Sequence, residues 1–325
     1  MEFRTKIDIS PSKAGINYES PVMLIGSCFA NEIGRHFENG KLKSLVNPFG
    51  VLYNPLSTGR AIDLIMEGKV FSKDDLFFYD RKYLSFYHDT GFSSEDAGYS
   101  LKKINSSLSE ARRLLSGAGF LFITFGTARI FKLNENNMPV ANCHKIPAAR
   151  FSRHLLETGD IAEYWDNIIQ KLQQFNKDLN IVFTVSPVRH LKDGAHGNQV
   201  SKSILITAID KLISRNSELS YFPSYEIMLD ELRDYRFYKK DMIHPSDVAV
   251  EYIWDRLRES YFRPGTEQIY QRVLKISEAA RHIVLGNDPG ELTRFKEAML
   301  TRIQKLKNDY PIIDLTEEEK YFRGL

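Results

Sequence analysis

Short apolar runs alternate with amphipathic segments along most of the chain. Three runs, VMLIG at 22–26, FLFITFG at 120–126 and IVFTV at 181–185, are bounded by turn residues and rich in β-branched and aromatic side chains. Such runs are typical of strands that are buried on both faces. Shorter runs at 44–47 and 220–222 predict two further strands.

Between these strands, apolar residues recur at the spacing of a helix face. The predicted helices cover approximately 29–39, 57–67, 101–116, 160–177 and 200–215. Strands that alternate with helices favour an α/β fold with a doubly wound, mostly parallel sheet. The strand order cannot be derived from the alternation.

Three segments depart from this alternation. Residues 68–99 are an insertion rich in aromatic side chains, and residues 129–145 carry a turn-like Asn134–Asn137, so both are predicted to form hairpins at the pocket or on the core. After Tyr261, the Arg263-Pro264-Gly265 break precedes two amphipathic helical patterns at 267–284 and 290–308, separated by the turn-like run from Gly286 to Gly290. We therefore predict a body at 1–262 and a C-terminal helical hairpin at 263–325.

Composition narrows the classes of function. The 325 residues include 44 Lys and Arg against 42 Asp and Glu, a formal charge of +2 that indicates no nucleic-acid partner. The N-terminal twenty residues lack the apolar core of a signal peptide, and no stretch reaches the roughly 18 apolar residues of a membrane span. A cytoplasmic location is expected. With Cys28 and Cys143 alone, a disulfide scaffold is excluded.

The stretch VMLIGSCFANEIGRHF at 22–37 places Ser27 where a buried strand turns into a helix. A serine at that junction stands at the top of a sheet beside the free N–H groups of the helix start, where a nucleophile and oxyanion donors can coexist. Ser is also a preferred N-cap residue, so the junction by itself is consistent with a purely structural role.

Near the other end, the run DMIHPSD holds Asp241 and His244. A carboxylate three residues before a histidine can bind one imidazole nitrogen while the other faces outward. The predicted strand ends bring more polar residues to the same edge of the sheet, which is where ligands bind in such folds. These are Asn47 to Gly50, Gly126 to Ala128 and Ser186 to His190.

The run GSCFA at 26–30 resembles the signature of the GSCFA family, and DxxHP at 241–245 resembles the last block of the SGNH (GDSL-like) hydrolases. Further similar segments are NPFGVLYNP at 47–55, TFGTARIF at 124–131, NCHKIP at 142–147, SPVRH at 186–190 and SYEIMLDELRDYRFY at 224–238. The resemblance implies a three-layer α/β/α sandwich and a serine hydrolase with Ser27 as nucleophile, His244 as base and Asp241 as its partner.

The oxyanion donors are less clearly indicated. Candidates are the N–H groups of Ser27 and Gly50 and a group at Gly126 or Thr127. SGNH enzymes carry Gly-x-Asn-Asp in their third block, whereas this chain has Gly-Thr-Ala-Arg at 126–129. An amide from Asn47, Asn54 or Asn142 is the expected replacement, and for Asn47 and Asn142 a role in a turn is the alternative.

Other residues of these segments have open roles. His144 either reaches the pocket or packs beneath it, and Arg189 either binds an anionic substrate group or pairs with Asp241 or Glu251. Cys28 competes with Ser27 as nucleophile, because a thiol at a helix N-terminus is activated, but the two adjacent side chains diverge by about 100°. The histidines and Asp241 lack the tight spacing of a metal site, so no metal or cofactor is predicted.

These observations predict a serine esterase, acyl hydrolase or acyltransferase acting on a small-molecule or glycan ester. The alternative is a non-catalytic protein that binds a carbohydrate or metabolite on a hydrolase fold, which the missing asparagine favours.

Overall fold

The computed structural model describes residues 5–281 and 289–324. The strands are, in chain order, β1 (Val22–Gly26), β2 (Ser44–Val46), β3 (Phe77–Tyr79), β4 (Lys82–Leu84), β5 (Phe120–Phe125), β6 (Arg129–Leu133), β7 (Pro139–Val140), β8 (Phe151–Leu155), β9 (Asn180–Val185) and β10 (Leu219–Phe222). The helices are α1 (Cys28–Asn39), α2 (Pro55–Glu67), α3 (Ala97–Leu115), α4 (Thr158–Phe175), α5 (Gly194–Arg215), α6 (Ser224–Glu226), α7 (Asp247–Tyr261), α8 (Pro264–Arg281), α9 (Pro289–Asp309) and α10 (Thr316–Gly324).

In the described part of the chain, five parallel strands form the central sheet in the order β10-β9-β5-β1-β2. All five predicted strands are present within one or two residues of their expected bounds. The order places β1 in the interior of the sheet, between β5 and β2, so Ser27 follows a strand that is paired on both sides. The predicted α/β class with a mostly parallel sheet is confirmed.

The central strands are predominantly apolar because both sheet faces are covered. Met23 and Ile25 of β1 pack in one hydrophobic cluster with residues of α2, α3, α4 and α5. Val22 and Leu24 point to the opposite face and pack with residues of α1 and α7. This alternation along one strand produces the three-layer arrangement, and it explains why the strands read as continuous apolar runs instead of alternating ones.

The two insertions form small antiparallel sheets. In the first, β3 pairs with β4 as a hairpin. In the second, β6 pairs with β7 as predicted, and it also pairs with β8, which the apolar pattern did not reveal. The strand β8 is half-buried to exposed along its length, so it lacks the apolar run by which the core strands were recognised.

The C-terminal helices pack on the outer face of α1 and α7. Tyr270 of α8 is buried, and its hydroxyl accepts a hydrogen bond from Trp254 Nε1 at 2.9 Å. Met299 and Ile303 of α9 and Phe322 of α10 join the same cluster. The predicted turn between the two helices lies mostly outside the described residues, as does the end of the predicted 267–284 helix. The division into a body at 1–262 and a helical unit at 263–325 stays a prediction.

Among the described residues, none of the helices combines the length and the apolar character that crossing a bilayer requires.

Candidate active site

The serine of the first strand–helix junction is held by a backbone geometry that only glycine tolerates. Gly26 has φ +135°, and a side chain there would collide with the carbonyl of Thr124 on β5. Ser27 then caps α1: its Oγ accepts a hydrogen bond from Phe29 N at 3.3 Å. The residue is only 1% exposed, so the hydroxyl lies beneath the surface at the carboxyl end of β1.

Asp241 and His244 form a pair in the turn that precedes α7. His244 Nδ1 donates to Asp241 Oδ2 at 2.7 Å, and Asp241 Oδ1 accepts from the backbone N–H groups of Ile243 and His244 at 2.9 and 3.0 Å. These bonds, the His244 N–H first, hold the pKa of the Asp241 carboxyl well below its usual range. With Nδ1 protonated, the neutral imidazole presents Nε2 as a proton acceptor.

The loop after β9 connects this turn to the serine. The Arg189 N–H donates to Ile243 O at 3.1 Å, which ties the β9 loop to the turn. A methyl group built on Gly126 would lie 3.2 Å from His190 Nε2 and 3.4 Å from Ser27 Cβ. The absence of a side chain at Gly126 therefore lets the His190 imidazole approach the serine.

A pocket of about 560 Å³ opens at this edge of the sheet. Cys28 and His244 both line it, so the start of α1 and the imidazole of the Asp241–His244 pair share one cavity. The walls come from the β6–β7–β8 sheet and the loop after β9. The other residues that bear on function line it as follows: Tyr53, Asn54, Thr127, Arg129, Asn142, Arg153, Arg189, His190, Lys192 and Asp193.

Two of the predicted oxyanion donors already have acceptors within the fold. The Ser27 N–H donates to Thr124 O at 3.0 Å, which extends the β1–β5 pairing by one residue. The Gly50 N–H donates to Asn47 O at 2.7 Å and closes the turn after β2. Both N–H groups therefore stabilise the framework around the serine.

The third-block segment is bonded in the same way. The N–H groups of Gly126 and Thr127 both donate to Tyr53 O, each at 2.8 Å. The Thr127 hydroxyl lies 3.0 Å from the Ser201 hydroxyl and accepts from the Arg129 N–H at 3.1 Å. This segment fixes the Tyr53 loop against β5.

Asn47 supports the strand end. Its Oδ1 accepts from the Gly26 N–H at 2.8 Å, and its Nδ2 donates to Asn31 Oδ1 at 2.6 Å. The residue is buried and adopts a positive φ of 46°, which asparagine tolerates better than most residues. Both ends of the Asn47 amide are thus used in joining β1, β2 and α1.

Asn142 lies on the pocket wall, and His144 lies behind it. Asn142 lines the pocket, and its Oδ1 accepts from the His144 N–H at 2.8 Å, which leaves the amide nitrogen as a donor on the wall. The His144 imidazole is buried beneath the wall, where Nε2 donates to Ser85 O at 2.8 Å. Burial lowers the pKa of His144, so this histidine is a neutral packing group.

Arg189 lies at the rim. Its guanidinium stacks 4.3 Å from the ring centre of Tyr238, and Nη1 donates to Met242 O at 3.4 Å. In the described residues it forms no ion pair with Asp241 or Glu251.

The competing nucleophile is not electrostatically activated. Cys28 is half-buried on the pocket wall, and burial raises the pKa of its thiol despite its place at the start of α1. A neutral thiol is a weak nucleophile. Cys28 and Cys143 are both free thiols.

Two residues of the site have positions that the sequence does not indicate. The sequence places His190 at the predicted ligand-binding edge of the sheet without a specific role; in the structure its side chain lies beside Gly126, and burial, and next the charge of Lys202, lower its pKa to about 4. Lys202 of α5 is fully buried and donates to Gly126 O at 2.7 Å and to Ser186 O at 2.6 Å. Its position within an amphipathic helix carries no sign of this role, because the two carbonyls are distant in sequence.

The described residues contain no group of three or more His, Cys, Asp or Glu side chains that is arranged to hold a metal ion. No residue set in the site suggests a particular cofactor.

Three solved structures resemble this chain weakly. A carbohydrate esterase family 3 protein from Talaromyces cellulolyticus is 8% identical with a TM-score of 0.33, and the match covers 78% of this chain and 98% of that one. A family two carbohydrate esterase from Clostridium thermocellum is 12% identical with a TM-score of 0.34, over 75% and 64% of the two chains. An acetyl xylan esterase from the rumen bacterium Butyrivibrio proteoclasticus is 10% identical with a TM-score of 0.36, over 75% and 65%. At these identities and TM-scores, the activities of the three proteins cannot be assigned to this chain.

No curated protein matches the chain in sequence. The family model described as GSCFA family matches residues 21–257, which include the serine junction, the β9 loop and the Asp241–His244 turn. The chain belongs to the GSCFA family.

Proposed function

We propose that this protein is a serine esterase or acyl hydrolase. The observation that carries the proposal is the 2.7 Å hydrogen bond between Asp241 and His244, which leaves His244 Nε2 available as a base. His244 and Cys28, the first residue of α1, line the same pocket. In this reaction the Ser27 Oγ attacks the ester carbonyl, and His244 Nε2 takes its proton. Asp241 holds the ring in the required tautomer and stabilises the imidazolium.

The remaining steps follow from the same groups. The tetrahedral intermediate collapses when the alcohol leaves with the proton from His244, and an acyl-serine remains. Water then attacks the acyl carbon and gives a proton to His244, and His244 returns that proton to Ser27 Oγ as the carbon–oxygen bond to the serine breaks and the acid leaves. An acceptor alcohol in place of water would make the protein an acyltransferase.

The oxyanion needs donors that the fold does not already use. Cys28 is the first residue of α1, so its N–H has no acceptor within the helix and lies at the positive end of the helix dipole. The amide nitrogen of Asn142 is the second donor that we assign, since the Asn47 amide and the Gly50 N–H are bonded within the framework.

One observation favours the second candidate function, a non-catalytic glycan- or metabolite-binding protein. Ser27 is 1% exposed and its hydroxyl accepts a hydrogen bond from Phe29 N as a cap, which is the geometry of a structural serine. Catalysis requires that this hydroxyl turn toward the pocket when the ester binds.

Labelling with a fluorophosphonate probe, followed by mass spectrometry of the labelled peptide, separates the two. We expect the label on Ser27, its loss in Ser27→Ala and in His244→Ala, and its retention in Cys28→Ala. Because loss of a cap costs about 0.5–2 kcal/mol, Ser27→Gly, which caps almost as well, serves as a second variant. Ser203→Ala, at an exposed position on α5, is the matched control.

A protein that resists the probe and hydrolyses no ester, yet binds a sugar ester by calorimetry, is a binding protein. Label on Cys28 in place of Ser27 would make it a thiol hydrolase.

A further inference from the structure

The part of the pocket lining formed by β6, β8 and the loop after β9, called the basic wall below, carries an excess of positive charge. Four of its lining side chains are cationic: Arg129, Arg153, Arg189 and Lys192. Asp193 is the acidic side chain among the described lining residues. The chain as a whole has a formal charge of only +2, so the excess is a property of this wall and not of the overall composition.

The Asp193 carboxylate does not neutralise the wall. Both of its oxygens accept from Arg153, Oδ2 at 2.7 Å from Nη2, and the Arg129 Nε lies 3.2 Å from Oδ2. The hydrogen bonds from Arg153 lower the pKa of Asp193, so it remains a carboxylate. One negative charge thus holds two guanidinium groups in place. The buried Arg129 Nε–H is close to the Asp193 carboxylate but is not aligned to form a hydrogen bond with it.

The other two cations rest on aromatic rings. Lys192 Nζ lies 5.9 Å from the ring centre of Phe131, and the Arg189 guanidinium lies 4.3 Å from that of Tyr238. In the part of the chain that the structure describes, no carboxylate forms an ion pair with either of them. An aromatic face holds a cation in position without cancelling its charge, so both groups can bind an anion.

We propose that this wall binds an anionic group, a carboxylate or a phosphate, on the ester substrate. The proposal rests on the esterase function proposed above and adds the substrate class: an acylated acidic sugar or a comparable acidic small molecule. The cavity of about 560 Å³ is large enough for such a substrate. Arginine suits the role, because its planar fork binds carboxylate and phosphate oxygens in pairs.

The test compares three monoacetylated substrates that share one sugar ring: glucose, glucuronic acid and glucose 6-phosphate. We expect kcat/KM to be at least about tenfold higher for an anionic ester than for the neutral one at low salt, with the difference shrinking as the salt concentration rises. The two anionic substrates distinguish a carboxylate site from a phosphate site. In Lys192→Met and in Arg189→Met, the preference should fall by about two- to fivefold each.

Lys211→Met, an exposed lysine further along α5, is the matched control and should preserve the preference. Equal kcat/KM values for neutral and anionic esters would overturn the inference and leave the esterase function standing.

Calorimetry of glucuronate, glucose 6-phosphate and glucose binding gives a readout that does not need catalysis. If no ester is hydrolysed, the proposed function fails, while tighter binding of an anionic sugar that weakens in Lys192→Met would still support the basic wall. If the protein binds none of the three sugars, or binds all three equally tightly, the basic wall is not an anion site.

Discussion

Lys202 is the residue whose replacement tests the framework of the site most directly. Its ammonium group is fully buried between β5 and β9, where it donates to Gly126 O and Ser186 O. Lys202→Met keeps the length of the side chain and removes both donors. Each buried carbonyl left without a donor costs about 1–3 kcal/mol, so the variant should lose about 2–6 kcal/mol of unfolding free energy at pH 9.

The loss should depend on pH in a direction set by the pKa of Lys202. Burial lowers that pKa to about 7, whereas the unfolded chain has an ordinary lysine near ~10.4. Below pH 7 both states bind the proton, and the stability contributed by Lys202 does not change with pH. Above pH 7 the unfolded chain binds the proton that the folded protein has released, so the stability of the wild type rises with pH relative to the variant.

At up to about 1.4 kcal/mol per pH unit, the difference between wild type and Lys202→Met should grow by roughly 2–3 kcal/mol between pH 7 and pH 9. Urea denaturation at pH 6, 7, 8 and 9 measures it, and other titrating groups cancel because both proteins contain them. Lys211→Met, at an exposed position of the same helix, should follow the wild type throughout. Parallel stability curves for the wild type and Lys202→Met would refute the shifted pKa, and equal stability at pH 9 would refute the role of the two hydrogen bonds.

Four further predictions concern the site and the C-terminal helices. Gly126→Ala should lower ester turnover and cost about 1–3 kcal/mol of stability, because the new methyl group lies 3.0–3.4 Å from its neighbours. Asn142→Ala should reduce kcat about 10²- to 10³-fold with little loss of stability, whereas Asn47→Ala should destabilise the fold by about 1–3 kcal/mol, measured by urea denaturation. Asp241→Asn, which retains an acceptor for the turn but presents the wrong group to the imidazole, should lower kcat by about 10⁴ at unchanged melting temperature. Truncation after Phe262 should expose the apolar face of the body and cause aggregation, as seen by light scattering, while probe labelling persists.

Each has a result that would contradict it. Normal turnover in Gly126→Ala would mean that the position of the His190 imidazole does not affect catalysis. A fall in kcat for Asn47→Ala at unchanged stability would move the oxyanion donor to that residue. Full activity of Asp241→Asn would remove the carboxylate from the mechanism, and a truncated protein that stays monodisperse but loses labelling would place the C-terminal helices in the active site.

The sequence alone determined the local elements and the edge of the sheet at which the pocket opens. The runs at 22–26, 120–126 and 181–185 are predominantly apolar because both faces of a parallel strand are buried, and such a pattern is visible in the sequence before the neighbouring strands are known. The contact between Asp241 and His244 was also predictable from the sequence, because residues three apart in a turn are close whatever the rest of the fold is.

Tertiary structure decided everything that depends on residues distant in sequence. The strand order, the bond from the Ser27 N–H to Thr124 O and the two bonds of the Asn47 amide all join residues distant in sequence, which no local pattern encodes. The roles of His190 and Lys202 arise in the same way, because their neighbours at Gly126 belong to another strand. Period-two and period-3.6 patterns specify which face of an element is buried. They do not specify which carbonyl or imidazole of a neighbouring element packs against that face.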